Sequence, residues 1–410
     1  APIYTEADME TWKGKLKGKV VMTAQPRAVQ LSTKPLATRW TDAELTQEET
    51  APEETGPDGQ RMQAYRSRLP QAWQSLTREQ ITAIRKKISA FLLEEGIAGV
   101  LSFGYSGDGG TVFGAQDGSR EPNDPVPPAN LCITPEHYNR IHRLLSHNIP
   151  VKVNFEVESE ILEAKDSVNV IGEIPGASKK NEIVMLGAHL DSWHGGTGAT
   201  DNAAGSAVMI EALRILKVLD LKMDRTVRLA LWGGEEEGLL GSKAYVKEHF
   251  GDPETMKVTE EHAKLSGYFN VDNGSGKIRG VYLQGNDMMR PVFEEWFAPF
   301  KDMGAGAISI RPTGGTDHLS FDAVGLPGFQ FIQDELEYSS RTHHSNMDVY
   351  DHVSEADLRQ AATIVAAFVY NTANRPDLLP RKPLPKAKPK PAQTADLQPA
   401  AAASKAAASL

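Results

Sequence analysis

Apolar residues change their spacing along the chain in a way that separates strands from helices. After about residue 150, short apolar runs of strand length alternate with segments whose apolar side chains recur every three or four positions. In the segment that begins near Asn202, Val208, Ala212 and Ile215 fall on one helical face. This alternation predicts an α/β domain with a largely parallel sheet. Its predicted strands are 151–158, 168–174, 183–188, 226–232, 267–271, 281–284 and 328–332, and the last helix begins at Ser354.

The rest of the chain predicts a second, smaller unit and a tail. Residues 1–150 contain fewer regular segments, which are strands at 19–22 and 99–103, helices at 77–95 and 135–147, and loops at 40–72 and 104–128. Pro, Ala and Lys dominate residues 376–410, which cannot bury enough apolar area to offset the entropy lost on ordering. The predicted organisation is therefore a domain at 1–150, a domain at 151–375 and a disordered tail at 376–410.

Composition narrows the classes of partner and site. The formal net charge of -10 argues against nucleic acid as a partner, because phosphate binding needs clustered Lys and Arg. Cys132 is the only cysteine, so neither an internal disulfide nor a cysteine-based zinc site is available. No apolar run approaches the roughly 18 residues of a membrane span. The chain as given begins without the charged and apolar regions of a signal peptide.

Histidines and carboxylates concentrate in five short segments, mostly at the ends of predicted strands. Open α/β sheets form their sites at such strand ends. A carboxylate that accepts a hydrogen bond from a metal-bound imidazole fixes the tautomer of the ring. We therefore expect Asp191 to support the ring of the candidate ligand His189. For Asp201, an ordinary helix N-cap is the alternative. The five segments centre on His189 with Asp191, on Asp201, on Glu235 to Glu237, on Asp272, and on His343 with His344.

The types of residue in these segments point to paired metal ions. Adjacent carboxylates at the end of an apolar strand repel each other unless a cation or water neutralises them. We therefore expect one of Glu235 and Glu236 to be a ligand and the other a base, and one of the two adjacent histidines to bind. One histidine and carboxylates for each of two ions, with one carboxylate shared, suit zinc, cobalt or manganese. Ions about 3.5–4 Å apart are the co-catalytic arrangement of aminopeptidases.

Two other chemistries are disfavoured by single positions. Gly196-Thr197-Gly198 resembles part of a dinucleotide fingerprint, but Asp201 stands where the third glycine belongs. The segment Gly104–Asp108 contains a serine between glycines and lacks the last glycine of a nucleophile elbow.

Taken in order, these motifs resemble the di-zinc exopeptidase family of bacterial leucyl aminopeptidases and glutamate carboxypeptidases. The resemblance is closest to the branch of plasma glutamate carboxypeptidase and its bacterial relatives. It implies an α/β zinc-exopeptidase domain with a mostly parallel mixed sheet flanked by helices. Residues 12–21 also resemble part of a protease-associated domain, which implies that residues 1–150 form a smaller α/β lid. The matching segments are 169–176, 187–191, 200–205, 235–242, 315–318 and 344–348.

The resemblance implies a role for each candidate residue. Glu235 would be the catalytic base, Asp191 would support the first histidine, and Asp348, four residues after His344, selects that histidine over His343. His318 would steady the oxyanion, with a packed histidine as the alternative. Two Zn2+ ions, or Co2+ or Mn2+, would be held by His189, Asp201 and Asp272 on one side and by Asp201, Glu236 and His344 on the other.

The implied activity is zinc-dependent hydrolysis of peptide bonds near a free terminus, with the metal ions activating a water. Asp334 and Glu335 could bind a substrate ammonium and Arg341 a carboxylate, so the direction stays open. A non-catalytic receptor-like protein and a glutaminyl cyclase are the alternatives. The resemblance also implies a peptide substrate and an extracytoplasmic location, and it leaves a homodimer open.

Overall fold

The computed structural model describes residues 2–53, 66, 69–115, 118, 124–160, 162–163 and 166–387. The strands are β1 (Val20–Met22), β2 (Gly99–Ser102), β3 (Asn130–Cys132), β4 (Val170–Ile174), β5 (Lys179–His189), β6 (Arg225–Trp232), β7 (Gly251–Asp252), β8 (Lys257–Val258), β9 (Leu265–Asn270), β10 (Ile278–Tyr282), β11 (Ala307–Ser309) and β12 (Gly328–Gln333). The α-helices are α1 (Glu6–Trp12), α2 (Asp42–Thr50), α3 (Arg78–Glu94), α4 (Pro135–Ser146), α5 (Ala204–Val218), α6 (Leu240–His249), α7 (Arg290–Phe297), α8 (His318–Asp322) and α9 (Glu355–Asn374). Short 3-10 helices are Gln71–Trp73, His262–Lys264, Asp287–Met289, Ala298–Met303 and Tyr350–His352.

A mixed sheet forms the centre of the second half of the chain. Within the described residues its seven strands lie in the order β11, β10, β12, β9, β5, β6, β4. The four neighbours β12, β9, β5 and β6 run parallel, whereas β4 pairs antiparallel with β6 and β10 antiparallel with β12. This confirms the predicted mostly parallel mixed sheet flanked by helices. The central strands β5 and β9 carry continuous runs of buried residues, because both faces of the sheet are covered.

Two apolar layers cover the faces of this sheet. On one face, α5 contributes Val208 and Met209, and α9 contributes Phe368, to the largest buried cluster. On the other face, α6 and α8 pack over Trp232 and Tyr268, and the ring of Tyr268 stacks on Phe321 with centroids 4.1 Å apart. In the described ranges no helix is long and apolar enough to cross a membrane.

A separate three-stranded parallel sheet, β1–β2–β3, organises most of the first 150 residues. The predicted capping box is present at the start of α3, where Thr77 and Gln80 exchange side-chain to backbone hydrogen bonds. Ile81, Ile88 and Leu92 of α3 build a core distinct from the cores of the large sheet. The structure thus contains the smaller α/β unit, while its assignment as a protease-associated domain stays a prediction.

Two predicted local structures were wrong. Residues 151–158 alternate like a strand but form none, because the apolar side chains of Val153 and Phe155 pack on the small unit instead. The predicted loop at 40–72 contains α2, whose capping box uses Thr41 and Glu44. Its polar sequence hid this helix, which has hardly any apolar face. Residues 54–65 and 67–68 of that predicted loop lie outside the described residues.

The segment around α2 packs on the large sheet and departs from the predicted division at residue 150. Glu48 of α2 is buried and pairs with Arg311 at 2.5 Å, next to the edge strand β11. Arg39 pairs with Asp334 at 2.7 Å and with Asp357 at 2.8 Å. Ion pairs thus hold residues 39–48 against the large sheet, so part of the first 150 residues belongs structurally to the second unit.

Residues 376–387 are ordered, which contradicts the predicted start of the tail at 376. Leu379 is only 2% exposed and packs beside Gly267 in β9. Arg381 donates to the carbonyl of His262 at 2.9 Å, and Lys382 pairs with Asp322 at 2.6 Å. The average composition of the tail conceals these few anchoring side chains. Residues 388–410 lie outside the described residues.

Shortening the chain at two points tests this packing. A chain ending at Arg375 should lose about 2 kcal/mol or more in free energy of unfolding relative to one ending at Ala387, because burying one leucine contributes about 1.5–3 kcal/mol. Leu379→Ala in the full chain should cost about 2–5 kcal/mol. Leu384→Ala is the matched control, since Leu384 is 47% exposed. Urea unfolding measures all four proteins, and equal midpoints for the Leu379 and Leu384 variants would show that the segment does not contribute.

Candidate metal centre

The candidate site lies at the carboxyl ends of three adjacent parallel strands. His189 is the last residue of β5 and pairs in register with Trp232, the last residue of β6. Glu235 and Glu236 follow in the turn after β6. Gly234 begins this turn with a φ of 69°, which residues other than glycine rarely adopt. Asp272 stands two residues after the end of β9. Parallel pairing therefore brings residues that are far apart in sequence to one edge.

His189 sits between two buried carboxylates. Its Nε2 atom lies 3.2 Å from Oδ1 of Asp201 and 3.3 Å from Oδ1 of Asp272. All three side chains are almost completely buried. Burial alone would lower the pKa of His189, but the carboxylates of Asp272 and Asp201 raise it well above its ordinary value.

A second group of ligand atoms surrounds His344. Its Nε2 atom lies 2.9 Å from Oε2 of Glu236 and 3.3 Å from Oδ2 of Asp201. Nε2 of the neighbouring His343 lies farther from the same Asp201 oxygen, at 4.0 Å. The geometry therefore favours His344 over His343, as the spacing to Asp348 suggested.

Asp201 connects the two groups, because its Oδ1 faces His189 and its Oδ2 faces His344. It lies in a short π-helical turn, Ala199–Ala203, and its side chain does not cap α5. The alternative of an ordinary N-cap is therefore excluded. The two oxygens of one carboxylate therefore face the two histidines separately.

Two polar side chains hold the backbone around Asp201. Asn202 donates to the carbonyl of Val271 at 2.9 Å, which ties the Asp201 turn to the end of β9. Oδ1 of Asp348 accepts from the backbone NH of Thr200 at 2.6 Å. Asn202 and Asp348 lie inside segments that the family resemblance already marked, so their position was the available signal. Trp193, which contacts Glu236 and His344, carried no such signal.

Asp191 supports the site in a different way from the one predicted. Its backbone carbonyl, and not its carboxylate, is bonded to Nδ1 of His189 at 2.9 Å, while Oδ1 is 3.7 Å from that atom. The two carboxylate oxygens instead accept from the backbone NH groups of Glu235 and Glu236, at 3.0 and 3.1 Å. Asp191 therefore fixes both the ring of His189 and the turn that carries the two glutamates.

The electrostatics of the cluster favour a bound cation. Burial, followed by the charge of Asp272, raises the pKa of Glu235 to about 10, and burial raises that of Asp201 to about 6. Within the described residues, Nε2 of His189, Oδ2 of Asp201 and Oδ1 of Asp272 are buried without a hydrogen bond, although they converge. Each of three ligand groups here keeps its ligand atoms within 4.8 Å of one another. Imidazole nitrogens with carboxylate oxygens fit Zn2+.

The structure contradicts the predicted role of His318 at this centre. It has no exposed surface, and its Nε2 atom is bonded to the carbonyl of Thr313 at 3.0 Å. Burial lowers the pKa of His318 to about 4, so the ring is neutral near pH 7. These contacts contradict an oxyanion role, since a substrate cannot touch the side chain, and they favour the packed histidine.

The residues considered for recognition of a substrate terminus are also engaged elsewhere. Arg341 pairs with Asp108 at 2.6 Å. Asp334 is completely buried between Arg39 and Arg279, with ion pairs of 2.7 and 3.0 Å. Glu335 is exposed and accepts from Ser339 at 3.1 Å. Arg341 and Asp334 are therefore each engaged in structural ion pairs with other residues.

Comparison with known proteins agrees with this geometry. Residues 169–369 match peptidase family M28, and this range contains all five candidate ligands and Glu235. The family resemblance drawn from the sequence is thereby confirmed.

Two curated relatives carry peptidase names. The chain is 29% identical to human carboxypeptidase Q over 272 residues, which cover 66% of this chain and 55% of that protein. It is 32% identical to aminopeptidase YwaD of Bacillus subtilis (strain 168) over 213 residues, covering 51% of this chain and 45% of that protein. The chain thus spans about half the length of these relatives.

Solved structures support the fold. A peptidase M28 precursor from Shewanella amazonensis SB2B superimposes with a TM-score of 0.60 and 28% identity, covering 74% of this chain and 66% of that one. BSAP, a zinc aminopeptidase from Bacillus subtilis, gives a TM-score of 0.50 at 24% identity, covering 71% of this chain and 68% of that one. The second likeness concerns the fold alone.

The two adjacent histidines should differ in their effect on metal content. His344→Ala should lose one of the bound ions, because its Nε2 atom lies within 3.3 Å of both Asp201 and Glu236. His343→Ala should keep all bound ions. Elemental analysis of both purified variants after zinc loading and desalting makes the comparison. The opposite pattern would move the ligand to His343.

Proposed function

We propose that this chain is the peptidase part of a zinc-dependent exopeptidase. The observation that carries the proposal is the position of Asp201, whose two carboxylate oxygens face His189 and His344 separately. Asp272 completes the group around His189, and Glu236 completes the group around His344. This shared arrangement supports two ions. Zinc is the preferred choice, and cobalt or manganese also suits the ligands.

Glu235 is the catalytic base of the proposed reaction. When bound, the two ions supply positive charge that polarises the scissile carbonyl and makes water more acidic. Glu235 takes a proton from the attacking water and gives it to the nitrogen of the leaving amine. Its buried side chain is adjacent to the ligand Glu236, and its backbone NH is held by Asp191 at 3.0 Å. Positive charge from the ions offsets the burial that raises its pKa.

The surroundings of the site favour a substrate with a free N-terminus. A C-terminal carboxylate needs an available cation, and Arg341 is already bound to Asp108. Aminopeptidase or dipeptidase action is therefore proposed over carboxypeptidase action. The names of the relatives include both an aminopeptidase and a carboxypeptidase.

The small unit acts as a lid in this proposal. Its loop at 104–114 contacts the loop that carries His344: Phe113 pairs with Ser345 as an isolated bridge, and the hydroxyl of Tyr105 lies 2.7 Å from Nδ1 of His343. A lid that approaches one side of the centre limits access for the middle of a long chain. An extracytoplasmic location and a homodimer remain predictions from the family resemblance.

A receptor-like protein and a glutaminyl cyclase, the two alternative functions, account for fewer of the residues at this site. A non-catalytic receptor-like protein has no need of a buried base beside complete ligand groups. A glutaminyl cyclase uses one zinc ion, which leaves the second histidine without a function. An N-terminal glutamine peptide incubated with the zinc-loaded protein distinguishes the cyclase, because cyclisation releases ammonia and no amino acid.

A small substrate panel tests the proposed activity. Zinc-loaded protein should hydrolyse a dipeptide with free termini and its C-amidated form, whereas the N-acetylated form should react at least tenfold more slowly. A chelator should abolish hydrolysis, and added zinc should restore it. Amino-acid release measured by chromatography follows each reaction. Preference for the N-acetylated dipeptide would reverse the direction, and efficient cleavage inside a peptide blocked at both ends would exclude an exopeptidase.

The adjacent glutamates should fail in different ways. Glu235→Gln keeps the size of the side chain and removes the proton acceptor, so both ions should remain bound while kcat falls by about 10²–10⁴. Glu236→Gln should weaken one ion, and excess zinc should restore part of the activity. Metal content, KM and kcat with and without added zinc separate the two effects. Loss of metal from Glu235→Gln alone would exchange the two roles.

A further inference from the structure

Trp193 contacts two side chains that we assign to the same ion. Its indole Nε1 donates a hydrogen bond to Oε2 of Glu236 at 2.8 Å. Its ring stacks on the imidazole of His344, with centroids 4.8 Å apart and planes 19° from parallel. The side chain of Trp193 thus holds the carboxylate of Glu236 by a hydrogen bond and the imidazole of His344 by ring stacking. Neither contact uses an atom of the group around His189.

Simple core packing does not account for this placement. Trp193 is partly exposed, and none of the apolar clusters within the described residues includes it. It lies four residues after His189, in the loop that leaves β5. An indole on this loop that turns its only donor toward Glu236 instead of water gives up hydration, and it gains a charge-assisted hydrogen bond to a carboxylate.

Gly114 connects this tryptophan to the small unit. A Cβ atom at Gly114 would lie 2.7 Å from Cε3 and 2.8 Å from Cζ3 of Trp193, so only glycine lets the backbone approach the ring this closely. The backbone NH of Gly114 also donates to the carbonyl of His344 at 2.7 Å. The loop at 104–114 therefore presses on the indole and holds the backbone of the stacked histidine at the same time.

We propose that Trp193 is a positioning residue for the ion held by Glu236 and His344, and that Gly114 locks it in place from the small unit. The inference rests on the proposed function, since it assumes that ions bind here. Hydrogen bonds to ligating carboxylates orient the ligand atoms, and their loss typically costs about 10–100-fold in metal affinity. Trp193 acts through its two neighbours and touches neither substrate nor reacting atoms.

Zinc titration of the metal-free full chain tests the role of the indole NH. Trp193→Phe keeps a flat aromatic ring and removes the donor, so affinity for one ion should fall about 10–100-fold while the other ion binds as before. Trp193→Ala removes the stack as well and should weaken the same ion further. Trp296→Phe is the control, because Trp296 is buried in the largest apolar cluster. That variant should bind both ions with unchanged affinity.

A second variant tests the link to the small unit. Gly114→Ala should weaken the same ion, because its methyl group displaces the indole. In a Trp193→Ala background the added Gly114→Ala change should have a smaller effect, since no ring remains to displace. Full additivity of the two changes would overturn the link.

The outcomes separate this inference from the proposed function. Wild-type protein that binds no zinc would overturn both. Wild-type protein that binds two ions, together with a folded Trp193→Phe variant of equal affinity at both, would overturn only the positioning role. An equal loss at both ions would also contradict it, because the contacts of Trp193 reach one group alone.

Discussion

The negative charge buried at the ends of the parallel strands is the constraint on which the rest of this structure depends. Asp201, Asp272 and Glu235 are almost fully removed from water around His189. Taking a charged group out of water costs several kcal/mol unless an opposite charge compensates. The raised pKa values of Glu235 and Asp201 express this cost in the protein alone. A bound cation would offset this cost, so metal binding would also stabilise the site.

The surrounding fold converts that constraint into fixed geometry. A mostly parallel sheet brings the ends of β5, β6 and β9 to one edge, and backbone hydrogen bonds then set the turns that follow them. Asp191 holds the turn of the two glutamates, and Asp348 holds the turn of Asp201. Asn202 links that second turn to the end of β9. The proposed ligands are thus supported by side chains whose contacts are with backbone groups, which restricts their movement.

Long-range contacts also join the first 150 residues to this framework at two separate places. Ion pairs of Arg39 and Glu48 attach one segment to the large sheet, far along the chain from the site motifs. The loop at 104–114 attaches the small unit to the loop that carries His344, and Arg341 pairs with Asp108 there. Because Arg341 is used in this contact, the interaction that attaches the loop at 104–114 also engages the arginine that we had considered for recognition of a carboxylate.

The sequence by itself determined the type of sheet, the family and the ligand candidates. Strand spacing, the carboxylates after apolar runs and the order of the motifs are local patterns, and parallel strands necessarily bring their ends together. Only the tertiary structure decided which atoms of Asp191 support which neighbours, that Trp193 lies beside the ligands, and that His318 is closed off in the core. It also decided that residues 151–158 form no strand and that residues 376–387 are anchored. Most of these depend on a contact between segments distant in the chain, and neither composition nor periodicity encodes which partner a side chain meets after folding.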